Sequence, residues 1–224
     1  MINRELFIQA VSKYLLGLFT VSLLLFLPAG TVRYPQGWLF MGILFIPMFI
    51  AGVIMLKKNP ELLKKRLNAR ENETEQKTVI FFSGIMFLSA FITAGLSYRF
   101  RWLLLPFQAS MIFAMIFLAA YLLYAEVLRE NTYLSRTVEI QKDQKVIDSG
   151  LYGIVRHPMY MATVLLFLCM PLVLGSAVSF LIMLGYIPII VKRIQNEEKI
   201  LSEGLPGYEE YRKKVKYRLI PGIW

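Results

Sequence analysis

Long apolar runs alternate with short, strongly charged segments along the chain, and this alternation predicts its elements. A membrane helix needs roughly 20 residues to cross the hydrocarbon of a bilayer. Six runs approach or reach that length once their interfacial ends are counted: 14–28, 38–56, 78–96, 102–125, 159–174 and 177–191. We therefore expect an all-α integral membrane protein with about six membrane helices and a helical carboxyl-terminal tail.

The last two apolar runs are the shortest, and Gly175-Ser176 marks a turn between them. They form either a hairpin that just reaches across the bilayer or a pair that tilts within the protein, and the sequence leaves both open. The amino end, 1–13, mixes charged and apolar residues and predicts a short helix on the membrane surface.

Two connecting regions carry local signals. In the polar segment 57–77, Asn59-Pro60-Glu61 resembles a helix start, because Asn caps, Pro suits the first turn and Glu favours the positive end of the helix dipole. A short amphipathic surface helix should follow. Runs three and four are joined only by 97–101, which predicts a tight hairpin. Small residues in run three would allow close helix packing: Ser83, Gly84, Ser89, Ala90, Ala94 and Gly95.

Composition agrees with a membrane location and sets the orientation. The 224 residues are 57% hydrophobic, mean hydropathy is +0.55 and net charge is +10. A basic soluble protein could bind nucleic acid, but the long apolar runs favour cytoplasmic loops that face anionic lipid. Six passes place 22 of the 25 Lys and Arg residues on one side. By the positive-inside rule, both termini should be cytoplasmic.

Candidate chemistry is concentrated on that basic side. The stretch Gly150 to Tyr160 contains the only histidine, His157, and runs directly into the fifth apolar run. Segments 141–160 and 192–218 flank the short hairpin, so they should meet and form one pocket. That pocket would offer cations, carboxylates and tyrosines: Arg156, His157, Arg193, Glu197, Glu198, Tyr152, Tyr160, Tyr208 and Tyr211. This set suits a zwitterionic cofactor that carries an aromatic group.

Simpler interpretations stand beside the pocket. Arg156 could extend to lipid headgroups, and Pro158 could simply start a helix. Arg193 and Glu197, four residues apart, could form an ordinary ion pair on a helix surface. A single histidine and a single cysteine, Cys169, exclude a histidine-rich or cysteine-rich metal site within one chain. No metal is expected.

Two ordered motifs carry a family resemblance. They are Gly150-x-Tyr152-x-x-Val155-Arg156-His157-Pro158-x-Tyr160 and Arg193-x-x-x-Glu197-Glu198-x-x-Leu201, followed by Tyr208-x-x-Tyr211. The region 125–221 thereby resembles the isoprenylcysteine carboxyl methyltransferase family and is similar to the wider phospholipid methyltransferase group. The first four apolar runs match only in hydrophobicity.

The resemblance implies an S-adenosylmethionine-dependent membrane methyltransferase that methylates the carboxyl group of a lipophilic, isoprenylcysteine-like acceptor, which enters from the bilayer. It implies that Arg193 orients the acceptor and acts in catalysis with Glu197. It also implies that the cofactor contacts the following residues: Gln141, Gln144, Lys145, Val146, Ile147, Tyr152, His157, Pro158, Met159, Tyr160, Glu197 and Glu198. On this interpretation 126–224 holds the cofactor and 1–125 forms a four-helix membrane region on the lipid-substrate side.

Two other functions remain open at this stage. A membrane reductase of the sterol-reductase type has a similar carboxyl-terminal region but binds NADPH, whose 2′-phosphate the adjacent Glu197 and Glu198 would repel. A non-catalytic membrane protein could keep the pocket only to sense a ligand. The identity of the acceptor and the oligomeric state have no readable signature in the sequence.

Overall fold

The computed structural model describes residues 4–67, 74–134, 140–141 and 143–224. Three predicted segments extend beyond these ranges: the amino end at 1–3, the polar segment 57–77 at 68–73, and the region 126–224 at 135–139 and 142. The described residues contain no strand, only one isolated bridge between Leu104 and Ser176, so the all-α prediction is confirmed. The helices are α1 (Arg4–Ala29), α2 (Pro35–Lys58), α3 (Pro60–Leu67), α4 (Thr74–Phe100), α5 (Phe107–Glu130), α6 (Pro158–Val173), α7 (Ala177–Met183), α8 (Tyr186–Gly204) and α9 (Tyr208–Lys214).

Within these ranges, five segments are long and apolar enough to cross a membrane. They are α1, α2, residues Thr78–Phe100 of α4, α5, and the joined pair α7–α8 over Ala177–Gly204. The sixth apolar helix, α6, has only 16 residues and measures about 24 Å. Large apolar side chains lie exposed around the bundle, including Phe19 at 64% and Leu122 at 74% exposure, as expected of surfaces that face lipid. The chain is a multi-pass membrane protein.

Three predicted boundaries are wrong. Residues 4–13 do not form a separate surface helix, because no helix breaker separates them from the first span and α1 is continuous. The fourth helix starts at Phe107 rather than 102, because 101–106 leaves the helical conformation and Leu105 donates to the carbonyl of Gly175. The sixth run divides into α7 and α8 near Gly185, where Pro188 has no N–H to continue the preceding turn.

Three turns meet at one end of the bundle, and we call residues 30–34, 101–106 and 174–176 the turn cluster. The Tyr34 hydroxyl donates to the Leu174 carbonyl at 2.5 Å, and Ser176 Oγ lies 2.9 Å from Ser97 Oγ at the end of α4. The intervening helices therefore run in alternating directions. The start of α6 and the end of α5 both lie at the opposite end, where the charged segments gather.

Close packing of α1 on α4 confirms part of the small-residue prediction. Ala90 and Ala94 are fully buried. A Cβ added at Gly95 would lie 2.5 Å from the Leu25 carbonyl oxygen of α1, so the two backbones approach there as only glycine permits. Gly84, by contrast, has no atom within 4 Å of such a Cβ and takes no part in this contact.

The predicted helix start in the basic loop is confirmed. The Asn59 side-chain oxygen accepts a hydrogen bond from the Leu62 amide at 3.1 Å, and Pro60 opens α3. Leu62 and Leu63 are buried while the polar face carries Lys64, Lys65 and Arg66. The Arg66 guanidinium lies over the Tyr124 ring of α5, which holds α3 beside the charged end of the bundle.

Candidate functional site

A pocket opens at the end of the bundle opposite the turn cluster. The space that it encloses together with the open solvent at its entrance is about 870 Å³. Helices α6, α8 and α9 and the segments before α6 form its walls. The lining residues are Asn131, Tyr133, Leu134, Gln144, Lys145, Val146, Ile147, Tyr152, Arg156, His157, Met159, Tyr160, Arg193, Glu197, Ile200, Leu201, Leu205, Tyr208 and Tyr211.

A short 3-10 turn, Gly150–Gly153, connects the end of α5 to this pocket. The carboxylate of Glu130, the last residue of α5, accepts a hydrogen bond from the Leu151 amide at 2.9 Å. Gly150 has φ +57, and a Cβ there would lie 1.9 Å from a Glu130 carboxylate oxygen. Position 150 therefore favours glycine, because φ +57 strains other residues, and an added Cβ would displace the Glu130 carboxylate that holds the turn. The turn fixes how Tyr152 enters the pocket.

His157 and Pro158 form the start of α6. His157 is the residue before the helix and Pro158 occupies its first turn, where its missing N–H costs nothing. The His157 side chain is 5% exposed, and its Nε2 lies 3.2 Å from Glu198 Oε1. The imidazole is thus held at the pocket wall by a carboxylate from α8.

Arg156 is buried and does not extend to lipid headgroups. Its Nε donates to Glu198 Oε1 at 2.8 Å, and its Nη1 donates to the carbonyls of Val215 and Lys216, each at 2.8 Å. Glu198 also accepts from Arg218 Nε at 2.9 Å. Glu198 on α8 therefore links the residues just before α6 to the segment after α9 in one ion-pair network.

Backbone pairing holds that carboxyl-terminal segment in place. The amides of Arg156 and His157 donate to the carbonyls of Tyr217 and Arg218, each at 2.9 Å. The Arg218 guanidinium lies 5.1 Å from the centroid of the Trp224 ring. Residues 215–218 thus run alongside the motif and complete the scaffold behind the pocket.

A tyrosine joins the two polar residues of α8 that face the pocket. The Tyr160 hydroxyl donates to Glu197 Oε2 and accepts a hydrogen bond from Arg193 Nε at 3.0 Å. The Arg193 guanidinium also lies 5.9 Å from the centroid of the same ring. Arg193 and Glu197 are therefore more than a surface ion pair, because α6 supplies a group that orients both at the pocket.

The remaining tyrosines give the pocket neutral polar groups. The Tyr211 hydroxyl donates to the Tyr152 carbonyl at 2.8 Å. Tyr208 is 4% exposed, and its hydroxyl has no hydrogen-bond partner among the described residues. Burial, followed by the charges of Glu198 and Glu197, raises the pKa of Tyr208 above its ordinary value. Its hydroxyl therefore stays protonated at neutral pH, and leaving such a group unpaired costs about 1–3 kcal/mol.

The pocket chemistry suits a zwitterionic ligand with an aromatic group. Lys145 and Arg193 offer positive charge for a carboxylate, and Glu197 offers negative charge for an ammonium or sulfonium. Val146, Leu201 and Leu205 supply apolar walls. No group of three or more histidine, cysteine or acidic residues arranged to hold a metal occurs in the described part of the chain.

Comparison with known proteins matches the segment that supplies most of the pocket lining. Residues 110–203 match the model of the isoprenylcysteine carboxyl methyltransferase (ICMT) family. This segment is ICMT-like. It contains both motifs, from Gly150 to Tyr160 and from Arg193 to Glu198, and confirms the predicted resemblance.

A second comparison concerns a reductase. The chain is 28% identical over 91 residues to the mouse (Mus musculus) protein "Delta(14)-sterol reductase TM7SF2", which corresponds to 39% of this chain and 22% of that protein. The chain thus aligns with only about a fifth of the length of this relative.

Most of the residues predicted for the site line the ICMT-like pocket. Arg193 and nine of the predicted cofactor residues do so: Gln144, Lys145, Val146, Ile147, Tyr152, His157, Met159, Tyr160 and Glu197. Tyr208 and Tyr211, expected as flat faces with hydroxyl groups, line it too.

Three predicted cofactor residues lie outside the pocket lining and support it instead. Pro158 is fully buried in the first turn of α6. Glu198 points into the buried ion-pair network with Arg156. The Gln141 amide donates to Gln144 Oε1 at 2.9 Å and its side chain donates to the Tyr133 carbonyl, so it connects two parts of the pocket wall.

Several lining residues carry no sequence signal of their own. Asn131, Tyr133 and Leu134 follow α5 in a segment that reads as an ordinary polar loop. Ile200 and Leu205 appear as apolar positions of an amphipathic helix end and the turn after it. Only the face of α8 shared with Arg193 and Glu197 could have indicated Ile200, which lies three residues after Glu197.

Proposed function

We propose that the protein is an S-adenosylmethionine-dependent methyltransferase that acts on a lipophilic acceptor, by carboxyl methylation of an isoprenylcysteine-like group. The observation that carries this proposal is the Arg193–Tyr160–Glu197 arrangement in the lining of an ICMT-like pocket. A cation and a carboxylate, oriented by one phenol, offer partners for both a carboxylate acceptor and a cationic methyl donor.

The residues of the pocket fit S-adenosylmethionine. When bound, this cofactor supplies a methyl group on a positively charged sulfonium. Its amino-acid end requires groups of both charge signs, which Lys145 and Glu197 provide. Its adenine requires flat or apolar surfaces and a hydrogen bond, which the Val146, Leu201 and Tyr208 side of the pocket provides.

Orientation of the reactants is the main task of the protein in this reaction. A carboxylate acceptor is already ionised at neutral pH, so it needs no strong general base. Holding two reactants in line can supply about 7–11 kcal/mol of barrier lowering. Arg193 would hold the acceptor carboxylate, and Glu197 would hold the cationic donor beside it. Tyr160 would fix the spacing between them.

The predicted topology gives each reactant its route. With both termini in the cytoplasm, the pocket end of the bundle faces the compartment that holds soluble cofactors. The acceptor would enter from the bilayer past the apolar helices. The amino-terminal region, predicted as 1–125, would then contribute the lipid-substrate side.

A membrane reductase that uses NADPH is the second candidate, because the chain resembles a sterol reductase over 91 residues. The electrostatic argument against a 2′-phosphate is weaker than the sequence suggests. Glu198 lies in an ion-pair network with Arg156 and Arg218, so Glu197 is the acidic member of the pair that lines the pocket.

Direct binding distinguishes the two candidates. Purified protein in detergent is titrated by calorimetry with S-adenosylmethionine and, separately, with NADPH. We expect saturable binding of S-adenosylmethionine and no saturable binding of NADPH. Binding of NADPH without S-adenosylmethionine would reject the methyltransferase proposal, and binding of neither would reject both candidates.

The role of Arg193 can be tested once methyl transfer to an N-acylated S-farnesylcysteine is measured. We expect Arg193→Ala to lower kcat/KM by roughly 10- to 150-fold, the value of one charge-assisted hydrogen bond. The loss should appear mainly in the acceptor KM and kcat, with a smaller change in cofactor affinity. Arg212→Ala, which removes an exposed arginine paired with Glu209 on α9, is the matched control. Full activity of Arg193→Ala would disprove the assigned role.

A further inference from the structure

Tyr208 differs from the other tyrosines of the pocket in the state of its hydroxyl. Each of the others has a partner: Tyr133 donates to the Asp143 carbonyl, Tyr152 pairs with the Asn131 side chain, Tyr160 donates to Glu197 and Tyr211 donates to the Tyr152 carbonyl. Within the described residues, the Tyr208 hydroxyl has none, although the side chain is 4% exposed and lines the pocket. A buried donor of this kind needs an acceptor, and a ligand in the pocket can supply one.

The surroundings of Tyr208 are apolar. It packs in a small cluster with Leu205, Tyr211 and Val215, against Val146 and Leu201. Leu205, Val146 and Leu201 also line the pocket. Because burial and nearby carboxylates raise the pKa of Tyr208, the group presents a neutral O–H at physiological pH. A neutral donor among apolar walls suits an uncharged heterocycle with a lone pair in its plane.

We propose that the Tyr208 hydroxyl donates a hydrogen bond to a ring nitrogen of the adenine of bound S-adenosylmethionine, while Val146, Leu201 and Leu205 contact the faces of the base. This inference rests on the proposed function. It assigns the charged residues Lys145 and Glu197 to the amino-acid end of the cofactor and leaves Arg193 to the acceptor. Tyr208 thereby becomes a residue that holds the nucleobase.

Ligand analogues test the hydrogen bond itself. Wild type and Tyr208→Phe are titrated with S-adenosylhomocysteine, the demethylated product, and with its 1-deaza, 3-deaza and 7-deaza forms, each of which replaces one ring nitrogen by C–H. We expect Tyr208→Phe to weaken S-adenosylhomocysteine binding on the order of tenfold. One deaza form should lose a similar factor in wild type and nothing further in Tyr208→Phe.

Thermal stability of the unliganded protein gives an independent readout. Tyr208→Phe removes no hydrogen bond within the described residues, so its melting temperature should equal or exceed that of wild type. Tyr211→Phe loses the bond to the Tyr152 carbonyl and should melt at a lower temperature. These two substitutions remove the same atom from neighbouring rings of one cluster.

The outcomes separate this inference from the proposed function. If wild type binds S-adenosylhomocysteine but Tyr208→Phe binds it equally well, the inference fails and the methyltransferase proposal stands. The inference also fails if every deaza form loses the same factor in both proteins, or if Tyr208→Phe lowers the melting temperature as Tyr211→Phe does. If the wild-type protein binds no S-adenosylhomocysteine, both the inference and the methyltransferase proposal are rejected.

Discussion

Glu197 and Glu198 show how two adjacent, identical residues take different tasks. Successive residues of an α-helix point about 100° apart, so Glu197 faces the pocket while Glu198 enters the buried network of Arg156, His157 and Arg218. The sequence marks the pair as a unit. Which of the two carboxylates faces the pocket depends on the rotation of α8 relative to α6, and only tertiary packing sets that rotation.

The buried network predicts a stability effect for Glu198→Gln. The substitution leaves Arg156 buried without its carboxylate, and breaking a buried pair typically costs about 3–5 kcal/mol. We therefore expect a clearly lower midpoint of chemical unfolding in detergent. Glu203→Gln, which removes an exposed charge from the same helix, is the control. Equal midpoints for the two variants would show that Glu198 does not stabilise the scaffold.

Gly150 predicts an even more local effect. Gly150→Ala would combine an unfavourable backbone conformation at φ +57 with a clash against Glu130, so the 3-10 turn should be displaced. We expect reduced thermal stability and weaker S-adenosylmethionine binding. Gly153→Ala, in the same turn, places its Cβ 3.2 Å from the Asp148 carbonyl and should have a much smaller effect. Similar losses in both variants would contradict the special role of position 150.

At the scale of elements, the α1–α4 contact depends on one glycine. Gly95→Ala would place its Cβ 2.5 Å from the Leu25 carbonyl oxygen, so the two helix backbones would have to move apart. We expect a lower melting temperature in detergent, because close small-residue packing drives membrane helix association. Gly84→Ala on the same helix meets no atom within 4 Å and should melt like wild type or slightly higher. The reverse order of the two melting temperatures would refute this packing.

The sequence predicts elements better than their ends. The apolar runs located every membrane helix, since lipid-facing hydrophobicity is a long, strong signal. The break at Gly185 had its own signal in Pro188 three residues later, yet the apolar run masked it. Residues 101–106 carried a signal too, because Pro106 disfavours the helical conformation at Leu105. Their extended path is stabilised by the turn after α6, a contact distant in sequence.

The candidate site was predicted to a similar extent. The motif from Gly150 to Tyr160 and the pair at Arg193 and Glu197 were identified because each carries several polar residues beside an apolar run. Tyr208 and Tyr211 were found for the same reason. Asn131 and Leu134 were missed, since nothing in an ordinary loop sequence shows that it folds back onto α6.

At the scale of the whole molecule, the topology is a prediction that labelling can test. Arg33→Cys in the turn cluster and Lys213→Cys on α9 are introduced separately, with the native buried Cys169 as background. In sealed, right-side-out vesicles, a membrane-impermeant maleimide should label position 33 directly and position 213 only after permeabilisation. Labelling in the opposite order would invert the orientation and place the pocket on the outer side.

The position of the turn cluster allows stability in detergent to be changed separately from ligand affinity. Its hydrogen bonds lie at the far end of α6, about 24 Å from the residues that would hold a ligand. Substitutions that rigidify the turns can therefore be selected for survival in detergent without selecting against ligand affinity. That end of the molecule is the place to engineer a thermostable form for crystallisation with bound ligand.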